Sequence, residues 1–305
     1  MTNIAADSDA RRLLLRGLVD YAGLFPPAAE SMREAVARYD EYRRGPHAWA
    51  LGKFVVPVAR LAEFEDAVRP LIGDAPWILS LIAGADFAAD VRAIGEFALR
   101  AGSVARIGAI EVKGSSVEAI AAIARNAALL HASIPDAFDV YVEVPVATDP
   151  SALIEAIARH GMRAKVRTGG VEAAAFPTAE QLARFFAACV GSGVTFKATA
   201  GLHHAMRGSY PLTYDSASAR GTMFGFLNVF LAAAFARDGL GAGETAALLE
   251  ERDANALTFT ASEVKWRGRA LSADAVRRAR ASTATSFGSC SFAEPVADLS
   301  SIGLL

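Results

Sequence analysis

The sequence predicts an α/β fold: a (β/α)8, or TIM, barrel forming a single domain over residues 1–305, with a helix and hairpin insertion over 240–282 between strands 7 and 8. Three observations carry this expectation. Short apolar runs alternate with longer stretches rich in Ala, Leu, Glu and Arg, the rhythm of βα units around a parallel sheet. Eight such runs fit within 305 residues, a length that one barrel fills. No G-x-G-x-x-G follows the first run, so the marker of an open, doubly wound sheet is missing.

The first strand is read in GLVDYAGLF (17–25), ended by Pro26 and Pro27. A helix follows from Ser31 to Arg44, where Ser31 and Glu34 have the spacing of a capping box. LGKFVVPVA (51–59) precedes a helix near 60–72, and WILSLIAGA (77–85) precedes one near 86–101. ARIGAIEVKG (105–114) leads into an Ala-rich helix over 116–132. FDVYVEVPVA (138–147) leads into a helix over 150–160, with Asp149 as cap and Pro150 in the first turn. RAKVRTGG (163–170) precedes helix 178–190, and the seventh strand, 194–200, precedes a loop and the apolar helix 222–237. A helix over 242–252, a hairpin in LTFTASEVKWRGRALS (257–272) turning at Arg267-Gly268, and a helix over 272–281 then intervene. TATSFGSCSF (283–292) supplies the eighth strand and 294–303 a short closing helix.

Composition narrows the function classes. The chain is 53% hydrophobic and 21% charged, enough for a large core and unlike a disordered chain. Its net charge of −2, with acids and bases intermixed, gives no footprint for nucleic acid and no basic face for a membrane. Two cysteines, Cys189 and Cys290, exclude a disulfide framework and a four-thiolate zinc site. The N-terminus lacks the apolar core of a signal peptide, and the longest apolar run, 223–236, is too short to span a bilayer. A cytoplasmic protein is expected. The apolar helix 222–237 is to be covered by the insertion or by another subunit, which leaves a homo-oligomer open.

Barrel strands are covered on both faces and normally read as continuous Val, Ile and Leu. Here they carry charges: Asp20 on the first, Lys53 on the second, Glu111 and Lys113 on the fourth, Glu143 on the fifth, Lys165 and Arg167 on the sixth, and Lys197 on the seventh. Glu111/Lys113 and Lys165/Arg167 lie two apart and so share a face. The intervening Ile110, Val112, Val166, Phe196 and Ala198 suit the helix-facing side. The charges therefore converge inside, at the C-terminal end where barrel active sites sit. Burying ions costs several kcal/mol each, which stability alone would not select. Five cations (Lys53, Lys113, Lys165, Arg167, Lys197) against three anions (Asp20, Glu111, Glu143) imply a small anionic metabolite bearing carboxylate or phosphate.

Lys165 and Lys197, with Arg167 beside them, have the makings of an imine-forming site, because cationic neighbours and desolvation both disfavour a protonated amine. Glu111 or Glu143 would move protons. GVTFKATAGL (193–202) resembles the lysine strands of deoxyribose-phosphate aldolase and related class I, Schiff-base aldolases. That resemblance implies Lys165 as imine former, Lys197 as tuning lysine and Glu111 as the strand-four acid, in a lyase needing no cofactor. The sixth strand, KVRTGG, departs from the family in placing Lys165 one step deep or Arg167 at the lysine position, which would leave Lys197 as nucleophile. DYAGLFPPA, FKATAGLHH and FGSCSFAEPVADL also resemble a set of bacterial proteins of uncharacterised activity.

Other residues complete the expected binding surface. Asp20 and Tyr21 end the first strand, Gly169 and Gly170 the sixth, Thr199 the seventh, and His203 and His204 follow it. Gly288 and Ser289, in SFGSCS, offer loop amides where barrels often hold phosphate. The competing readings are a metal-dependent isomerase or hydrolase and a non-catalytic anion-binding barrel. The first would draw on His203, His204, Glu111, Glu143 and Asp20 for Zn²⁺, Mn²⁺ or Mg²⁺. No H-x-H or H-E-x-x-H supports it, and adjacent histidines on extended chain point apart, so no metal is assigned. Cys290 as nucleophile needs a histidine base whose place the sequence does not give. Cys189 sits among apolar helix residues and reads as core.

Overall fold

The computed structural model describes residues 9–71, 73 and 75–305. A short helix, α1 (Ala10–Leu15), leads into β1 (Val19–Tyr21), and six βα units follow. They are α2 (Met32–Arg44), β2 (Leu51–Pro57), α3 (Leu61–Val68), β3 (Trp77–Ile82), α4 (Phe87–Ala101), β4 (Ala105–Lys113), α5 (Val117–Ser133), β5 (Asp139–Glu143), α6 (Ser151–Arg159), β6 (Arg163–Arg167), α7 (Ala179–Ser192) and β7 (Phe196–Thr199). Before the barrel closes, the chain adds a hairpin, β8 (Gly208–Pro211) with β9 (Arg220–Met223), then α8 (Phe226–Arg237) and α9 (Ala242–Leu249). A three-stranded meander follows: β10 (Leu257–Phe259), β11 (Glu263–Trp266) and β12 (Arg269–Ser272). Then come α10 (Ala273–Ser282), the last barrel strand β13 (Ala284–Ser289) and α11 (Ala293–Ser301).

The strands β1, β2, β3, β4, β5, β6, β7 and β13 close into one barrel, all pairs parallel. The α/β barrel is as the sequence predicts. Closure leaves no barrel edge whose backbone groups lack partners.

Local chemistry sets the helix starts. Ser31 with Glu34 and Thr178 with Gln181 form reciprocal capping boxes, and Asp86 and Ser116 cap α4 and α5. At α6 the expectation is off by one: Pro150 occupies the cap, and Asp149 accepts from the amide and hydroxyl of Ser151. At Arg267-Gly268 two successive positive φ angles, 43° and 80°, make the tight turn joining β11 to β12. The 208–223 hairpin stands where only a loop was expected.

Strand alternation sorts the core from the site. On β7, Phe196 packs outward on Phe185 and Phe186 of α7, with ring centroids 5.2 and 5.1 Å away. Lys197 and Thr199 consequently face in. The helix α8 is apolar on every face because the chain covers every face: it contacts α7, α9, α10 and β13. Its buried Asn228 accepts from the amide of Arg207 and donates to the carbonyls of Leu248 and Glu251. Below the site, the Tyr141 hydroxyl meets Thr285 at 3.0 Å across the barrel, and Arg280 donates to the carbonyls of Ala284 (2.7 Å) and Arg16 (2.9 Å).

Candidate active site

Strand register assembles the charges before any side chain is considered. Lys113 lies opposite Glu143, Glu143 opposite Lys165, and Lys165 opposite Lys197. On the other side of the barrel Asp20 pairs with Gly288, and Gly288 with Thr199. These side chains build one continuous chain of contacts. Lys197 Nζ lies 2.7 Å from Asp20 Oδ2 and 2.5 Å from Glu111 Oε1. The second oxygen of Glu111 meets Lys165 Nζ at 2.7 Å, and Lys165 in turn meets Glu143 at 2.8 Å. Arg167 extends the row, its Nε 3.5 Å from Glu143. Ser80 donates to Glu111 at 2.6 Å, Ser286 to Asp20 at 2.7 Å, and the Lys53 amide to the other oxygen of Asp20 at 2.7 Å.

Such a network holds only if each ion is paired, because burial penalises every one of them. Burial alone would raise the Asp20 pKa, but Lys197, helped by Lys53, brings it below its ordinary value. Burial likewise opposes ionisation of Glu111, and the lysines on both its oxygens, Lys165 and Lys197, reverse that and hold it far below the usual carboxylate range. Glu143 is also lowered: Lys165, then Arg167, outweigh its burial. Lys197 goes the other way. Burial would lower it, yet Asp20 and Glu111 raise it above the usual lysine value. This corrects the expectation that cationic neighbours depress it: carboxylates, not cations, are its contacts.

Above the network lies a cavity of about 420 Å³ at the C-terminal mouth of the barrel. Of the residues expected at the site, Glu111, Lys113, Glu143, Lys165, Arg167, Gly170, Thr199, His203 and Gly288 all line it. Lys113, Lys165, Arg167 and a protonated His203 face Glu111 and Glu143, so its cations outnumber its carboxylates by two. Thr168 donates to the carbonyl of Ala200 at 2.6 Å, bracing the end of β7, where Ala200 and Gly201 have φ of 62° and 72°.

Seven expected residues lie off the cavity wall. Lys197 is 1% exposed and seals the floor, so it has no path to a substrate as nucleophile. Asp20, fully buried, lies beneath it as its counter-ion. Tyr21 faces the helix layer, since it alternates with Asp20. Its ring packs among Tyr39, Tyr42 and Phe54, and its hydroxyl donates to Glu30 at 2.5 Å. Lys53 is on the inward face but one layer down from the lining residue Val55, its stem beside Gly108. Gly169 lies under the Phe176 ring. The Ser289 hydroxyl accepts from the Ser291 amide, and the carbonyl of Ser289 accepts from Ala22. His204 stacks on Tyr210 at 3.5 Å between centroids and bonds Asp298 at 3.1 Å.

The histidines pair with Glu294 and Asp298, whereas the barrel carboxylates are engaged by Lys165, Lys197, Arg167 and the Lys53 amide. Among the described residues no group of three or more His, Cys, Asp or Glu side chains is arranged to hold a metal ion. No helix among them is long and apolar enough to cross a membrane.

Sequence reasoning missed four contributors to the site. Ser80 and Ser286 are small polar residues on apolar strands and were open to the same argument as the charges. Glu294 and Tyr214 carry no local signal: they reach His203 and Cys290 from α11 and from the turn of the β8–β9 hairpin. No protein-family model matches the chain, and no curated protein matches it.

Proposed function

We propose that the protein is a lyase of the class I aldolase type, acting on a small carbonyl compound that bears a carboxylate or phosphate. One observation carries this reading: Lys165 is the lysine that lines the cavity with carboxylates at 2.7 and 2.8 Å from its Nζ. Lys165 takes the nucleophilic role, and the tie with Lys197 falls to it on access. Glu143, the more exposed of the two carboxylates on Lys165, faces the cavity and accepts the ammonium proton, later returning it. Free amine attacks the carbonyl carbon, the carbinolamine loses water, and the resulting iminium draws electrons from the adjacent carbon–carbon bond. Lys197 acts without touching substrate. As a fixed cation it holds Glu111 ionised beneath Lys165, so the reacting lysine keeps its position. Arg167, Lys113 and His203 answer the substrate's anion.

The experiment is borohydride trapping with 2-keto acids and with small phosphorylated aldehydes, followed by peptide mapping. A reduced adduct on Lys165, absent from Lys165→Arg, is expected. Absence of any adduct on Lys165 across both substrate classes overturns the imine mechanism.

A further inference from the structure

The cavity wall carries a second nucleophile. Cys290, the residue after β13, lines the cavity with its Sγ 3.9 Å from Nδ1 of His203 and 3.5 Å from the Tyr214 hydroxyl. Four separate segments meet there: the loop after β7, the end of β13, α11 and the hairpin turn. Glu294 at the start of α11 organises the group, its Oε2 3.1 Å from Nδ1 of His203 and 2.9 Å from the Tyr214 hydroxyl, which donates to it. Ser291 in turn holds the Glu294 amide at 3.2 Å. Burial would make the imidazole neutral, but Cys290 and Glu294 together push its pKa up to about 9. Lys113, Lys165 and Arg167 add positive charge from other parts of the same wall. The chain's other cysteine is a built-in contrast: Cys189 in α7 has apolar surroundings, and burial pushes its thiol well above the ordinary range.

A thiolate is the reactive form of cysteine, and a facing cation favours it. We propose that Cys290 is a second covalent site of this cavity, a thiolate held against the imidazolium of His203 and open to small anionic electrophiles such as α,β-unsaturated acids. In the step, Sγ supplies an electron pair to the β-carbon and the S–C bond forms. The C=C π bond breaks, its electrons pass to the α-carbon, and that carbon takes the His203 proton. No oxidant or reductant is consumed. Glu294 and Tyr214 are positioning residues: Glu294 holds the ring, Tyr214 braces Glu294, and neither touches the electrophile. The site does not depend on the imine, since Lys165 has no part in forming the S–C bond.

The test is alkylation of the intact protein across pH 5.5 to 9.5 with iodoacetamide and iodoacetate, read by peptide mapping, with glutathione alongside. In both alkylations the S–C bond forms as the C–I bond breaks and iodide leaves. An ordinary thiol speeds up about tenfold per pH unit until its pKa near 8.5. The rate at Cys290 is expected to rise less steeply with pH than that of glutathione, because the facing His203 favours the thiolate. Its iodoacetate-to-iodoacetamide ratio should exceed that of glutathione by about fivefold, because the cavity is cationic. Maleate should give a stable adduct at Cys290 and none at Cys189. His203→Gln should return the pH profile to that of glutathione, with an unlabelled Cys189 reporting that the variant is folded. A wild-type profile that follows glutathione overturns the proposal, with no variant needed; so does an unchanged profile in a folded His203→Gln protein.

Discussion

Glu111 is the residue on which the site turns, because each of its oxygens serves a different lysine. Its neighbours show why that matters. Lys197, 1% exposed, cannot replace the lost carboxylate with solvent, and Lys165, 6% exposed, meets solvent only on its cavity side. Glu111→Gln keeps the shape but leaves Lys165 with Glu143 alone and Lys197 with Asp20 alone. Breaking a buried pair from one side costs about 3–5 kcal/mol. The expected result is a fall of that size in urea-unfolding stability, with an unchanged dependence on denaturant. Lys113→Gln, on the exposed rim of the same cavity, should shift it by less than about 1 kcal/mol. Equal effects at the two positions would mean that the Glu111 network is not buried in solution.

Elements were legible wherever one strong local pattern decided them. The Ser31–Glu34 capping box, the alternation on barrel strands and the Arg267-Gly268 turn all act over a few residues, and each is present as read. The hairpin over 208–223 was not legible, because GSYP and RGTM are too short to display a period of two. The apolar helix α8 was legible as buried but not in what buries it. Its resolution lies in Asn228, whose amide ties α8 to the carbonyls of Leu248 and Glu251 while its oxygen receives the amide of Arg207. Asn228→Leu fills the same space and abandons all three partners. Each buried group left unsatisfied costs about 1–3 kcal/mol, so the variant should lose several kcal/mol by urea unfolding. A near-neutral effect would show that water reaches those carbonyls.

At the scale of the whole molecule, the charges on barrel strands were readable because the fold makes them anomalous, whereas contacts between distant segments left no mark on the sequence. The face of Lys165 follows from a period of two. That Glu294 would meet His203 follows only from closing the barrel with β13 and laying α11 over its mouth. The assembled charges also give stability a definite dependence on pH. Asp20, Glu111 and Glu143 have folded pKa values below their ordinary 3.8, 4.5 and 4.5, so their contribution is full above those values and is lost as pH falls through the lowered ones. Lys197 is raised above 10.5, so its contribution is full below 10.5 and is lost as pH rises through the folded value. Buried Tyr21 and Tyr39, whose phenols burial pushes up from 10.0, add to that same alkaline loss. His203 governs the middle of the range. Raised from 6.5 to about 9, it stabilises fully below 6.5 and loses that contribution as pH climbs through 9. A shift of that span corresponds to at most about 3 kcal/mol. Urea unfolding at pH 6, 7.5, 9 and 10, with Cys290→Ser in both proteins so that no thiolate offsets the imidazolium, should therefore show a decline above pH 6.5 that is missing when His203→Gln is added. Parallel curves for the two proteins would place the ionisation elsewhere and remove the imidazolium from the cavity wall.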